Sequence, residues 1–490
     1  MLKQTPLSLV HKLCQALATA GVVYCHWKSN AALDRSASGD NDLDLLVSRA
    51  GAQCFTEILH RLGFKEAQVP PERQLPGVLD YYGYDGEAGK LVHVHAHYQL
   101  ILGDDMTKNY RLPLEEPFLA SAAQGALFKV PAPEFEFVVF VIRMVLKHST
   151  WDAILSGQGA WPASERREME YLWPQVDRTK MRDILQQHLP YLETALFDQC
   201  LRSLRPDCPL WTRIGVAQQL QSSLKAHARR SQISDTCLKS WRRVIGGIRR
   251  YILRQSSRKR MASGGVIIAL IGGDGAGKST AVNELYAWLS KDFATIKVHL
   301  GKPPWSWSTF LVRGTLKVSG WLNAFLKGKR PAHDGPGTDS SAFPGYLELM
   351  RRICVAGDRY RAYLRARRFA TNGGFVICDR YPLSLVKLMD GPKSDQMINI
   401  GQPDWLIEFL MQAEKKYYQH IMPPELLIVL RVAPETAVQR RTDQEAGLVR
   451  ARCQEIWELD WRQTRAHVIE AGRSRTEVLS EIKSLVWSEL

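Results

Sequence analysis

Val266-Ile267-Ile268-Ala269-Leu270-Ile271 is an unbroken apolar run, and its length and β-branched content predict a buried strand. Past a glycine-rich break, Val282, Leu285 and Leu289 recur at helical spacing, so a helix follows. The alternation then repeats. Phe375-Val376-Ile377-Cys378 and Pro424-Glu425-Leu426-Leu427-Ile428-Val429-Leu430 read as further strands, and Pro434-Glu435 opens another helix leading to Arg440-Arg441. Strands alternating with helices over 266–490 predict an α/β unit with a parallel sheet.

The earlier half is patterned differently. In Asp42-Leu43-Asp44-Leu45-Leu46-Val47 the carboxylates alternate, which places both on one strand face. Leu91-Val92-His93-Val94-His95-Ala96-His97-Tyr98 reads as a later strand, and 1–130 is expected to be a compact α+β domain. From Pro131 to about Arg254 the spacing turns helical, as in Phe135, Val138, Val139, Ile142 and Val145, predicting a helical connector over 131–254. The polar run 255–265 reads as a linker. A Trp/Pro/Gly-rich stretch from Lys302 to Gly337 is expected to be a mobile insertion near an acceptor site.

Composition narrows the setting. A chain of 490 residues with 45% hydrophobic and 23% charged positions is globular and too long for one core. The best membrane candidate, Phe137 to Ile142, is short and stops at Arg143, below the roughly eighteen apolar residues a span requires. The N-terminus lacks a signal-peptide layout, and nine cysteines fall without a C-x-x-C pair. A cytoplasmic protein, at most peripheral to a membrane, is expected. The net charge of +15 is concentrated between Trp241 and Arg260, where apolar residues interleave with arginines as in a basic amphipathic helix interrupted at Gly246-Gly247. It reads as a solvated interdomain helix or as a contact for an anionic membrane or glycan machinery; nucleic acid is the least expected partner. A homodimer is compatible with this reading.

The break after Ile271 carries the chemistry. Gly272-Gly273-Asp274-Gly275-Ala276-Gly277-Lys278-Ser279 matches G-x-x-x-x-G-K-[ST] between strand and helix, followed by Thr280. Backbone N–H groups and the helix N-terminus would cradle phosphates, Lys278 would neutralise their oxygens, and Ser279 would offer its hydroxyl to Mg²⁺. Further on, Asp379-Arg380-Tyr381 ends a strand at the sheet's carboxyl edge, where ligands bind. Together with Asp358-Arg359 on a helix and a strand-Pro-Glu-helix leading to an arginine-bearing lid, these motifs resemble the thymidylate kinase family over about 266–471. The resemblance implies a P-loop NTPase fold. It also implies that Asp274 meets the acceptor sugar or the metal, Arg359 faces the acceptor base, Arg380 holds the acceptor phosphate and Tyr381 belongs to the acceptor site. Asp379 would position Mg²⁺. The loop carries Gly275 and Ala276 where one branch of the family has an arginine, so Arg440, Arg441, Arg450 and Arg452 of the lid are the catalytic candidates. Pro382-Leu383-Ser384 and Met389-Asp390-Gly391-Pro392-Lys393 depart from the family pattern and resemble proteins found with surface-polysaccharide machinery.

Trp27-Lys28-Ser29 followed by Asp42 and Asp44 resembles the nucleotidyltransferase superfamily over about 22–100. That resemblance implies a divalent metal on Asp42 and Asp44 and a third carboxylate from a later strand. The later strand instead carries His93, His95 and His97, leaving Asp80 and Asp85 as candidates for the carboxylate and a zinc reading of the histidines open. The leading expectation is an Mg·ATP-dependent kinase acting on a nucleoside monophosphate, dTMP-like, or a similar phosphorylated acceptor. The rivals are nucleotidyl transfer with an ATP-sensing second half, and an ATP-gated accessory factor of surface-polysaccharide synthesis.

Overall fold

Short alternating strands fold into a mixed sheet in the first part of the chain. These are β1 (Tyr24–His26), β2 (Leu43–Val47), β3 (Lys65–Gln68), β4 (Val78–Asp85) and β5 (Lys90–His97). Two small hairpins follow, β6 (Leu100–Leu102) with β7 (Tyr110–Leu112) and β8 (Ala123–Gln124) with β9 (Lys129–Val130). The main sheet runs β1-β2-β5-β4-β3-β10, where β10 is Arg260–Met261. The β2–β5 pair is parallel and its neighbours are antiparallel. The computed structural model describes residues 5–157, 159–252, 256–326, 346–386, 388, 405–441 and 445–490. These divide into two compact units, Met1–Ala262 and Ser263–Leu490.

Two of the expected boundaries need correction. Arg260–Met261, placed in a linker, pairs with Gln68 and Ala67 as the edge strand of the first sheet. Its composition is polar because an edge strand faces water on one side. The helices from Pro133 onward do not form a separate connector either. The helix Pro133–His148 is buried nearly all round, and its Phe137, Val138 and Val141 share one core with Trp27 and Leu46 of the sheet region. Each fully buried apolar side chain contributes about 1.5–3 kcal/mol, so this shared core binds the helices and the sheet into one unit.

The basic segment is also more regular than its glycines suggested. The helix Gln232–Gly247 runs through Gly246 and continues as a wider turn over Ile248–Ile252. A helical glycine costs about 1 kcal/mol relative to alanine. Here the flanks are anchored: Lys239 pairs with Asp152 and Asp235, Arg243 with Asp104, and Arg249 with Glu72.

In the second unit β11 (Ile267–Gly272), β12 (Thr295–His299), β13 (Phe375–Asp379), β14 (Leu426–Arg431) and β15 (Ala466–Glu470) form a sheet in the order β12-β13-β11-β14-β15. Every pair is parallel. Helices covering both faces explain why β11 reads as a continuous apolar run: all six of its residues are buried. The stretch from Lys302 expected to be a mobile insertion contains the helix Trp307–Leu326. Its entry is fixed by Asp358, which accepts from the Ser306 N–H at 3.2 Å and from the Thr309 hydroxyl at 2.5 Å. The remainder of that stretch, 327–337, and Met389 to Lys393 lie outside the described residues. No helix among the described residues is long and apolar enough to cross a membrane.

Candidate functional site

The central strand delivers the glycine-rich loop to the carboxyl edge of the second sheet. β11 ends at Gly272, and the helix Lys278–Leu289 begins on the far side of the loop. The turn is sterically closed to side chains at three points, the first being Gly272, where an added Cβ would lie 2.4 Å from the Leu430 carbonyl oxygen. A Cβ on Gly273 would sit 2.3 Å from the Cys453 sulfur, and Gly275 has φ +81° with the Ala437 carbonyl 2.9 Å from any added Cβ. Gly277, in the left-handed region, precedes the helix and provides no side-chain cap, so the first-turn N–H groups receive no bond from it. Ser279 and Thr280 follow, both exposed.

Lys278 is buried and donates to the Gly273 carbonyl at 2.6 Å. Burial and the charge of Arg380 hold its ammonium below the ordinary lysine value, against the pull of Asp274. Asp274 is 2% exposed and lies between two guanidinium groups. Arg452 donates to its Oδ2 at 2.8 Å, and the Arg380 Nη2 is 3.7 Å from its Oδ1. Burial pushes the Asp274 carboxyl up, but the Arg452 hydrogen bond and the nearby positive charges outweigh it and keep the acid ionised. The Cys453 thiol adds a bond to the Asp274 carbonyl, tying the helix Ala446–Glu458 to the loop.

Arg380 has φ +58°, an unusual backbone for a residue with a side chain. Such strain costs on the order of 1–3 kcal/mol and persists where packing over-determines it. Beside it, register sets Asp379 next to Leu270 of β11. The Asp379 Oδ1 is buried without a hydrogen-bond partner among the described residues. An orphaned carboxylate oxygen beside a phosphate loop fits a hard divalent cation such as Mg²⁺, with the Ser279 hydroxyl as a second oxygen donor.

The structure separates the other expected residues. Arg359, expected at an acceptor base, donates to the Leu300 and Gly301 carbonyls at 2.9 and 3.2 Å and to the Tyr418 hydroxyl, so it braces the end of β12. Tyr381 is buried, with its hydroxyl on the Met422 carbonyl, and belongs to the core. Arg440 is exposed and donates to the Ala471 carbonyl at 3.1 Å, and Arg450 is exposed. Arg441 is half-buried. Of the four lid arginines, Arg452 is the one that reaches Asp274.

A second constellation lies in the first unit. Asp44, His95 and His97 come together across β2 and β5, with Lys28 2.9 Å, His95 Nδ1 3.1 Å and His97 Nε2 3.6 Å from the same Asp44 oxygen. Asp42 is exposed and sits 2.7 Å from His93 Nδ1, while His93 Nε2 lies 2.7 Å from Asp80. Lys259 completes this second group, 2.9 Å from Asp80 and from the Tyr82 hydroxyl. Asp80 is therefore the third carboxylate on this face, and Asp85 is elsewhere, accepting from the Leu9 N–H at 2.8 Å. Burial raises the Asp44 carboxyl, yet Lys28 and the two imidazoles hold it well below the usual range. The nucleotidyltransferase resemblance implied a divalent metal, Mg²⁺ in the leading expectation, on Asp42 and Asp44. Their partners are an ammonium and imidazoles, a donor set that does not fit an ion demanding hard oxygens.

Asp44 also lines a cavity of about 740 Å³ with Trp27, Lys28, Lys108, Arg143 and Lys147. Lys108 has φ +41°, and burial together with the Lys28 charge lowers its ammonium to about 8. Arg143 is bonded to Glu168 at 2.8 Å. Sequence reading missed Lys108, Arg143 and Lys147 because no motif links them: Arg143 and Lys147 share the helix Pro133–His148, while Lys108 comes from the turn between β6 and β7.

No protein-family model matches the chain. It is similar to the "Uncharacterized ATP-binding protein YghR" of Escherichia coli K12, 26% identical over 224 residues, covering 45% of this chain and 86% of that protein. It is also similar to the "Uncharacterized ATP-binding protein YghS" of the same strain, 27% identical over 222 residues, covering 42% of this chain and 90% of that protein. Both names speak of ATP for those proteins, which fits a nucleotide-binding domain within an α/β fold.

Proposed function

We propose that the second unit is an Mg·ATP-dependent phosphotransferase that moves the γ-phosphoryl group to a phosphorylated acceptor of nucleoside monophosphate type. The observation that carries this reading is the grip of Arg452 and Arg380 on Asp274 beside Lys278. It holds two guanidinium groups in reserve next to a phosphate loop. Phosphoryl transfer asks the protein mainly for positioning and for positive charge around the moving group. When nucleotide enters, Lys278 exchanges the Gly273 carbonyl for phosphate oxygens. Arg380 holds the acceptor phosphate, whose oxygen attacks the γ-phosphorus as the bond to the β-phosphate oxygen breaks and ADP leaves. Arg452, carried by a lid helix, swings from Asp274 toward the transferring group. Ser279 and Asp379 would hold Mg²⁺, which when bound neutralises charge on the β and γ oxygens.

The test is acceptor-stimulated ADP release, screened with dTMP, other nucleoside monophosphates and sugar phosphates. Lys278→Ala is expected to abolish turnover. Arg452→Ala is expected to lower kcat by about 10²–10³, and Arg450→Ala to stay near wild type. Pyrophosphate as the product, or full turnover by Lys278→Ala, overturns the reading.

A further inference from the structure

Asp44, His95 and His97 bring a carboxylate oxygen and two imidazole nitrogens within 4.8 Å of one another. The parallel register of β2 and β5 sets Asp44 beside His95, and strand alternation returns His97 to the same face. Trp27 packs edge-on against the His97 ring with centroids 5.0 Å apart, which fixes its orientation. His97 is 2% exposed, and its Nε2 has no hydrogen-bond partner among the described residues; it faces Asp44 Oδ1 across 3.6 Å. Leaving a buried ring nitrogen unpaired costs about 1–3 kcal/mol, a cost that a coordinated cation would offset.

We propose that Asp44, His95 and His97 bind a divalent ion of borderline softness, of the zinc or cobalt type. One carboxylate and two imidazoles suit such ions and not Mg²⁺. His93 is not a ligand, since its two ring nitrogens are occupied by Asp42 and Asp80. Three protein ligands leave a coordination position open, the arrangement of reactive rather than purely structural sites. The ion reaches the group through the cavity that Asp44 lines. Its competitor is Lys28, whose ammonium lies 2.9 Å from the same carboxylate oxygen and must withdraw when metal enters. This site is independent of the phosphate loop.

The experiment uses tag-free full-length protein, stripped with chelator and titrated with Co(II) alone. Expected is one equivalent bound with visible cobalt absorption, displaced by zinc. His95→Ala and Asp44→Asn each weaken binding by more than about tenfold, Lys28→Met tightens it, and Lys278→Ala leaves it unchanged. The His95 side chain is one-fifth exposed, so its removal is the variant best tolerated by the fold, and circular dichroism verifies that it is folded. The proposal is overturned if no cobalt binds at micromolar protein. It is equally overturned if folded His95→Ala binds as wild type does, or if Lys278→Ala abolishes binding.

Discussion

Glu136 lies on the helix Pro133–His148, inside the core of the first unit, 5% exposed and accepting from Asn30 at 2.8 Å. Burial, reinforced by the charge of Glu168, pushes its carboxyl from 4.5 up to about 8 against the Asn30 hydrogen bond. A raised folded value means that the folded state holds a proton the unfolded chain has released. The stabilisation is complete below 4.5 and is lost as pH rises toward 8, by about 1.4 kcal/mol per pH unit. Glu136→Gln removes the titration while keeping the shape. Equilibrium unfolding of both proteins from pH 5 to 8 should show the variant's relative stability climbing at roughly that slope; a flat difference would refute the assignment. Nothing in the sequence marked this residue, because a glutamate at the start of a helix ordinarily faces water. Arg452 was within reach of the sequence. Val449, Cys453 and Ile456 form the buried stripe of its helix, and Arg452, three residues after Val449 and four before Ile456, sits on the edge of that stripe. Arg450 falls on the exposed side, a distinction the helical spacing carries but which naming all four lid arginines as candidates left undrawn.

At the scale of elements, what could be read followed one-dimensional periodicity, and what could not depended on pairing between strands. The strands β2, β5, β11, β13 and β14 and the helix behind the phosphate loop were legible in apolar spacing, whereas β1, β3, β4, β10, β12 and β15 are too short or too polar to announce themselves. The ladder linking Asp42 to His93 and Asp44 to His95 depends on the register of β2 against β5, and Asp80 joins it only through β4. Alternation put the histidines on one face without saying what faced them. The basic helix shows the same limit: its charges looked free because their partners lie far away in sequence. Arg249 pairs with Glu72, whereas Arg250 is exposed beside the ring of Tyr251. Arg249→Glu sets two carboxylates together and should lower stability by about 1 kcal/mol, with Arg250→Glu within about 0.5 kcal/mol of wild type. Thermal melts of the two single variants decide this, and equal melting temperatures would show that the Glu72 pair contributes nothing.

At the scale of the molecule, the unit boundary at Ala262 makes the polar run before it part of the first unit's structure. The run carries β10, whose register against β3 closes the sheet edge, and the Ala262 N–H adds a bond to the Glu66 carbonyl at 3.0 Å. It also delivers Lys259 to Asp80, a carboxylate 6% exposed with His93 on its other side. A fragment ending at Arg254 removes the ammonium and leaves Asp80 in a buried setting with one cationic partner fewer. One that ends at Ala262 retains both the strand and the ion pair. Because removing one partner of a buried pair is costly, about 3–5 kcal/mol in enclosed cases, and Lys259 is one-fifth exposed, the shorter fragment should be less stable by roughly 2–3 kcal/mol. Urea unfolding of fragments 1–254 and 1–262, with Lys259→Met in the longer one, separates the two contributions. If the lysine matters, the point variant reproduces a large share of the loss; if the strand alone matters, it unfolds with the intact fragment. Equal midpoints for the two fragments would place the boundary before the strand and return 255–262 to the role of a linker.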